Sequence, residues 1–266
     1  MIKMAGIAVI GGAGKMGKWF SSYFSKKGFE VSIFDTSSDS KNFSEEIGAR
    51  HCRDVSDAVS GSEFILVSVP LQKTTASLDE ILPLLKGNQV ILDISSVKQN
   101  IFSKLKKSKR KFVSFHPLFG SSASSLNNQE IIFINGSTSS HSKTLKELFS
   151  LDGAKISEMS AKEHDELMST IQQLPILLNL VFAEALSEKT SALSHGAPTF
   201  NSQLELCRRV LSEDSGFYSF MQTENKFAKN TAKKLSKILS KYNLLLKNSD
   251  SKEIARRFSE LREMLK

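Results

Sequence analysis

The chain has 266 residues, of which 40% are hydrophobic and 24% charged, the composition of a soluble globular protein with one large domain or two ordinary ones. The formal net charge of +8 favours anionic partners but does not distinguish a metabolite, a cofactor or a nucleic acid. Cys52 and Cys207 lie far apart and form no CxxC pair. This argues against a disulfide or metal site and predicts two thiols in a reducing compartment.

Neither a secretory signal nor a membrane span is predicted. The apolar run at residues 7–10 ends in glycines after four residues. The most apolar stretch, residues 174–186, is interrupted by Asn179 and Glu184 and is too short to cross a bilayer. We therefore expect a soluble cytoplasmic protein.

The first half of the chain alternates strands with helices. Near-continuous apolar segments predict strands at residues 7–10, 30–34, 64–69, 89–93, 112–115 and 131–134. A helix is expected over residues 15–27, stopped by Gly28. Buried strands separated by helical segments predict an α/β fold, a Rossmann-type doubly wound parallel sheet covered on both faces.

A glycine-rich sequence follows the first predicted strand and opens the first helix, the context in which GxGxxG indicates dinucleotide binding. Gly12 is expected to permit the tight turn, Gly14 to let the backbone approach a pyrophosphate, and Gly17 to let helix and strand pack closely. The N–H groups of the helix start then face the phosphates. The predicted cofactor-binding residues of this loop are Gly12, Ala13, Gly14, Lys15, Met16 and Gly17.

Asp35 ends the second strand, eighteen residues after Gly17. A carboxylate there accepts hydrogen bonds from the adenosine ribose and repels a 2′-phosphate. Residues 36–40 contain no arginine to receive that phosphate, so the predicted cofactor is NAD rather than NADP. The alternative is that Asp35 merely starts a turn. Ligands lie at the carboxyl ends of such strands, which places three more residues beside the cofactor: Ser68, Val69 and Pro70.

The second half of the chain is predicted to be helical. Ser160 and Glu163 have the spacing of a capping box. A long helix is expected to about residue 190, kinked or broken by Pro175. Residues 195–198 form a predicted linker, after which helical periodicity continues to residue 266. The predicted plan is a dinucleotide-binding domain over 1–158 and an all-helical domain over 159–266.

Two polar residues follow neighbouring strands of the predicted sheet. Ser96 and His116 leave carboxyl ends that share one edge, so we expect them to meet near the nicotinamide. Histidine suits proton transfer near pH 7, and a nicotinamide takes a hydride; together these are the two halves of an alcohol oxidation. The structural alternative for His116 is a strand-end histidine bonded to a backbone carbonyl.

Four elements, in this order, resemble the prephenate dehydrogenase family of tyrosine biosynthesis: the glycine motif, Ser96-Val97-Lys98, His116-Pro117-Leu118-Phe119-Gly120 and Glu163-His164-Asp165. The likeness runs from about residue 7 to about residue 225. It implies oxidation of prephenate at its ring hydroxyl, with hydride transfer to NAD, loss of carbon dioxide and aromatisation to 4-hydroxyphenylpyruvate. It also implies a homodimer formed through the helical domain.

The resemblance further implies roles for single residues. His116 matches the catalytic histidine that accepts the hydroxyl proton, and Ser96 matches a serine that bonds the same hydroxyl and orients His116. Arg209 matches an arginine that binds a substrate carboxylate; a surface arginine is the alternative. Its neighbour Arg208 points about 100° away on the same predicted helix, so only one of the two faces the cleft.

Further positions bear on the substrate. Lys98 is predicted to neutralise a substrate anion, the alternative being the start of a surface helix. The family usually has a histidine where this chain has Ile176, so recognition of the substrate side chain changes or passes to Gln173 or a neighbour. His164 and Asp165 are expected to be structural, with Asp165 in the first turn of its helix.

Five lysines of the C-terminal region recur at helical spacing, and a solvated helix face is favoured over a phosphate-binding stripe: Lys226, Lys229, Lys233, Lys237 and Lys241. No nucleic acid, membrane or metal partner is predicted. The leading prediction is an NAD-dependent prephenate dehydrogenase with a small anionic substrate. Arogenate, another hydroxy acid, or dinucleotide binding without catalysis remain as alternatives.

Overall fold

The structure, a computed structural model, describes residues 5–266; residues 1–4, the first of the predicted dinucleotide-binding domain, lie outside it. Its centre is an eight-stranded sheet with the order β3-β2-β1-β4-β5-β6-β7-β8. The strands are β1 (Gly6–Ile10), β2 (Glu30–Phe34), β3 (Arg50–His51), β4 (Phe64–Val67), β5 (Val90–Asp93), β6 (Lys111–Pro117), β7 (Glu130–Ile134) and β8 (Lys155–Met159).

Both faces of the sheet are covered, because neighbouring residues of one strand enter different cores. Val9 packs in a cluster rich in phenylalanine, whereas Ile10 packs in an aliphatic cluster on the other face. The covering helices are α1 (Lys15–Lys26), α2 (Ser40–Glu46), α3 (Val55–Val59), α4 (Thr74–Leu84), α5 (Gln99–Ser108) and α6 (Ser139–Leu151). The predicted doubly wound α/β fold is confirmed.

The predicted parallel sheet contains one antiparallel pair. Strands β1 to β6 are parallel, but β7 pairs antiparallel with β6, with Phe115 opposite Phe133. The segment between these strands, residues 118–129, contains no helix. The crossover between parallel strands is usually a helix, and these twelve residues form none, in keeping with a chain that turns back on itself. Strand β8, which the sequence did not predict, continues beside β7 in parallel.

The remaining helices are α7 (Ala161–Met168), α8 (Leu174–Ser187), α9 (Pro198–Leu211), α10 (Ser215–Glu224), α11 (Ala228–Lys247) and α12 (Ser251–Met264). The chain divides into two compact units: residues up to 167 with 214–224, and residues 168–213 with 225–266. The predicted boundary at 158/159 therefore differs in two segments. Helix α7 belongs with the sheet, and so does α10, which packs against the turn Leu71–Lys73.

Pro175 changes the helix without ending it. A π-helical turn over Ser169–Gln173 joins α7 to α8, and Pro175 lies in the first turn of α8. The wider turn accommodates a residue that donates no hydrogen bond and crowds the preceding carbonyl. The resulting helix, Ala161–Ser187, passes a test for membrane spanning on length and hydropathy alone, a test that core helices of soluble proteins also pass. At 27 residues, this helix is longer than the apolar stretch 174–186, which by itself is too short to cross a bilayer.

Candidate active site

The glycine loop after β1 is shaped by two close backbone approaches. Gly11 has a φ of +83°, and a Cβ there would lie 2.6 Å from the carbonyl oxygen of Ser68. A Cβ on Gly17 would lie 2.0 Å from the carbonyl oxygen of Gly11, so helix and loop touch through this residue. The left-handed conformation of this turn falls on Gly11, the residue before the motif, and a Cβ on Gly12 would lie 2.7 Å from the Ile33 side chain.

Gly14 leaves room where a ligand is expected. Its backbone is extended, with φ −69° and ψ 165°, and a Cβ would meet its first neighbour, the Gly11 carbonyl oxygen, at 3.3 Å. Within the described residues, no side-chain hydrogen bond caps α1 at this N-cap residue. Lys15 and Met16 open the helix, so the start of α1 has the form of an anion-binding helix N-terminus.

Asp35 lies directly beside this loop. Its carboxylate accepts hydrogen bonds from the N–H of Ala13 at 2.9 Å and from the N–H of Ser37 at 2.9 Å. The carboxylate is therefore held at the end of β2, where the sequence placed it. The turn that contains Ser68, Val69 and Pro70 leaves β4 at the same edge, and Ser68 N–H donates to the carbonyl oxygen of Ile10.

His116 occupies the carboxyl end of β6, only 3% exposed. Its Nδ1 lies 2.9 Å from Nε2 of His164, which is fully buried. Burial lowers the pKa of His116 well below its usual value, and the neighbouring His164 and the Lys98 ammonium act in the same direction. The imidazole is thus neutral near pH 7, the state required of a proton acceptor.

His164 is held in turn by Asp165, its neighbour in α7. His164 Nδ1 lies 2.8 Å from Asp165 Oδ1. The Asp165 carboxylate also accepts the backbone N–H groups of Lys98, at 2.8 Å, and Gln99, at 2.9 Å, at the start of α5. The predicted capping box of α7 is confirmed, since Ser160 and Glu163 exchange hydrogen bonds of 2.8 and 3.2 Å.

Lys98 differs from its predicted role as a substrate ligand. The side chain is fully buried, and Nζ donates to the Asp93 carboxylate at 2.8 Å and to the Phe115 carbonyl oxygen at 2.8 Å. Burial alone raises the pKa of the Asp93 carboxyl, but the Lys98 ammonium and the Ser114 hydroxyl more than offset it and hold that pKa below its usual range. Lys98 therefore joins the ends of β5 and β6 instead of meeting an anion in a cleft. It also stands at the N-cap of α5, so the predicted helix start is present, but its side chain is buried and does not lie on the surface.

The other predicted site residues lie in different places. Ser96 is half-buried on the segment after β5, and the hydrogen-bond partner of His116 among the described residues is His164. Gln173 and Arg209 belong to the second unit: Gln173 is buried on the π-helical turn, and Arg209 is exposed on α9. Ile176, at the position of the family's histidine, is also buried.

His164 and Asp165 are the functional candidates that sequence reasoning left out. Both were assigned a structural role, with Asp165 favouring the dipole of its own helix. In the structure Asp165 caps a different helix, α5, which is 66 residues away in sequence. The available signal was the position of these residues in Glu163-His164-Asp165, one of the four elements that carry the family resemblance.

Comparison with known proteins bears on both halves of the chain. A family model described as the nucleotide-binding domain of prephenate dehydrogenase matches residues 20–158. A second, described as the prephenate dehydrogenase dimerization domain, matches residues 160–260. The first match confirms the prediction of a nucleotide-binding domain, and the two together agree with the recognised resemblance.

Individual relatives are distant. A probable arogenate/prephenate dehydrogenase of Methanocaldococcus jannaschii is 23% identical over 92% of this chain and 57% of its own length. A T-protein of Haemophilus influenzae is 26% identical over 80% of this chain and 54% of its own. The chain thus spans little more than half the length of these curated relatives. A crystal structure of prephenate dehydrogenase from A. aeolicus, in complex with hydroxyphenyl propionate and NAD⁺, has the same fold: TM-score 0.85, 17% identity, 99% and 98% of the two chains.

Proposed function

Because the chain belongs to the prephenate dehydrogenase family, we propose that it catalyses the NAD-dependent oxidative decarboxylation of prephenate or arogenate, a step of tyrosine biosynthesis. The observation that carries this proposal is the position of His116. Strands β1, β4, β5 and β6 are parallel, so the glycine loop and His116 lie at the same edge of one sheet. A proton acceptor and a dinucleotide loop thus share the edge at which ligands of such sheets bind.

The residues of the glycine loop fit a dinucleotide. Gly14 provides a surface without a side chain at the start of α1, and the Asp35 carboxylate is held where a ribose hydroxyl would donate to it. When bound, oxidised NAD supplies the hydride acceptor of the reaction. The carboxylate also favours NAD over NADP, because it would repel a 2′-phosphate.

The proton is assigned to His116. Nδ1 is engaged by His164, whereas Nε2 has no hydrogen bond within residues 5–266 and is left for the substrate hydroxyl. As the hydroxyl O–H bond breaks, an N–H bond forms at Nε2 and the oxygen keeps the electron pair that becomes the carbonyl bond. A positioned general base contributes about 10²–10⁴ in rate. We also propose that the Ser96 hydroxyl hydrogen-bonds the same substrate hydroxyl.

The test is an assay of the purified full chain with NAD or NADP and with prephenate or arogenate, following formation of reduced nicotinamide. We expect turnover with NAD and at least one of the two substrates, and a lower kcat/KM with NADP. NAD binding without turnover of either substrate would instead favour a dinucleotide-binding protein without this activity. Turnover of only an unrelated hydroxy acid would overturn the choice of substrate.

Arg209 is proposed to bind a substrate carboxylate, because a guanidinium fork matches a carboxylate in bidentate fashion. Arg209→Gln is expected to raise KM about tenfold to a hundredfold with a much smaller fall in kcat, since a contact distant from the reacting carbon binds ground and transition states alike. Arg208→Gln is the matched control, because both residues are exposed on α9. Equal KM values for the two variants in steady-state kinetics would remove Arg209 from the site.

A homodimer formed through the second unit is also proposed. Helix α8 exposes Leu178, Leu180 and Val181 by 42–45% each, and the matching family model is described as a dimerization domain. Exposed apolar side chains of this kind are typical of a region that a second copy covers. A cytoplasmic location remains a prediction.

A further inference from the structure

A chain of two imidazoles and a carboxylate leads away from the proposed proton acceptor. His116, His164 and Asp165 are linked by contacts of 2.9 and 2.8 Å, and all three are buried. We propose that His164 and Asp165 fix the tautomer and orientation of His116, so that Nε2 of His116 presents its lone pair to the substrate hydroxyl. The inference rests on the proposed function and makes His164 a positioning residue, which does not itself touch the substrate.

The Asp165 end of this hydrogen-bonded series is held by backbone N–H groups. Asp165 accepts N–H groups from Lys98 and Gln99, two successive residues at the start of α5. Carboxylates are stabilised at helix N-termini by these orphan donors and by the helix dipole. Helix α5 begins only six residues after β5, beside the strand that carries His116. The carboxylate therefore has a fixed position relative to the sheet.

The donors and acceptors then follow in one order. An ionised carboxylate only accepts, so His164 Nδ1 carries the hydrogen of the contact with Asp165. In a neutral imidazole the other nitrogen is an acceptor, so His164 Nε2 receives a hydrogen from His116 Nδ1. A neutral His116 with its hydrogen on Nδ1 has an unprotonated Nε2. Asp165, acting through His164, thus sets the tautomer in which His116 can take a proton.

Burial and the charges around His116 and His164 favour the neutral state of both rings. Burial lowers the pKa of His164, and the Lys98 ammonium acts in the same direction, against the opposing effects of Asp165 and Asp93. Burial and the same ammonium lower the pKa of His116. At pH 7 the order of hydrogens just described therefore holds. Once Nε2 gains a proton, the resulting imidazolium donates from Nδ1 into a chain that ends on a carboxylate, which stabilises its charge.

Nuclear magnetic resonance of the ¹⁵N-histidine-labelled full chain tests the tautomer directly, with or without catalysis. We expect His116 Nδ1 to resonate as a protonated nitrogen and Nε2 as an unprotonated one at pH 7. His116 Nε2 found protonated in the wild-type protein would overturn the proposal. Because this measurement needs no substrate, it separates the tautomer from the proposed function: absence of turnover would end the latter and leave the ring assignment to stand or fall on its own spectrum.

A pair of variants tests the effect on rate. His164→Asn keeps a donor for Asp165 but ends too early to accept from His116, whereas His164→Gln carries an acceptor one bond further out. We expect kcat about tenfold or more below wild type for His164→Asn, KM changed less than about threefold, and partial recovery in His164→Gln. Equal losses in the two variants, or a wild-type kcat in His164→Asn, would contradict the positioning role. His141→Asn is the control, because His141 lies beside Phe64 at the opposite, amino-terminal edge of the sheet.

Discussion

Replacement of His116 by asparagine is expected to lower kcat by about 10²–10⁴, the usual contribution of a general base. The asparagine amide is small enough for the site and can donate to His164 Nε2 in place of the lost Nδ1–H, so the buried partner keeps its hydrogen bond. An amide does not take up a proton near pH 7. The loss therefore falls on the chemical step, and steady-state kinetics with NAD and the better of the two substrates measures it.

Two further measurements on this variant separate chemistry from folding. Titration calorimetry with NAD is expected to give a dissociation constant close to wild type, because the glycine loop follows a different strand, β1. The thermal unfolding midpoint is expected to change little. A variant that folds, binds NAD and retains more than about a fifth of the wild-type kcat would show that another group accepts the proton.

Gly17→Ala is expected to disrupt both the fold of the glycine loop and its affinity for NAD. The new Cβ would lie 2.0 Å from the Gly11 carbonyl oxygen and 2.8 Å from Gly12 Cα, both backbone atoms that cannot rotate away. Overpacking of this kind costs about 1–3 kcal/mol, and here more because backbone must move. We expect a lower unfolding midpoint and a rise of about a hundredfold or more in the dissociation constant for NAD.

Gly14→Ala provides the matched comparison within the same loop. Its backbone angles suit alanine, and the Cβ would have ordinary or slightly tight contacts of 3.3 and 3.9 Å. We expect an unfolding midpoint close to wild type but weaker NAD binding, because the methyl group occupies the space assigned to the pyrophosphate. Wild-type NAD affinity in Gly14→Ala would place the cofactor elsewhere, and an unchanged midpoint in Gly17→Ala would refute the packing argument.

The parts of the site that were predictable from sequence depend on local order along the chain. A strand, a glycine turn and a helix start are neighbours in sequence, so the sequence alone predicts where the loop at Gly14 and the Asp35 carboxylate lie. The same is true of His116 at the end of β6. The left-handed conformation of Gly11 was outside this prediction, because Gly11 precedes the motif, whose glycines are Gly12, Gly14 and Gly17.

The parts that were not predictable depend on which distant segments meet. A lysine after a strand is usually solvated, and only the neighbouring ends of β5 and β6 show that Lys98 has Asp93 and Phe115 as partners. His164 approaches His116 because α7 belongs to the sheet unit, 48 residues further along the chain. The antiparallel pairing of β7 with β6 goes with the lack of a helix in residues 118–129.

The enclosed pair of Asp93 and Lys98 has a consequence for how ionic strength acts on this protein. Dissolved ions screen solvent-exposed charges, but they screen a buried ion pair much less. Added salt should therefore slow the encounter between an anionic substrate and a chain that carries eight excess positive charges. The electrostatic bias that keeps both imidazoles uncharged should persist in the same buffers, so association and proton transfer respond separately to the medium.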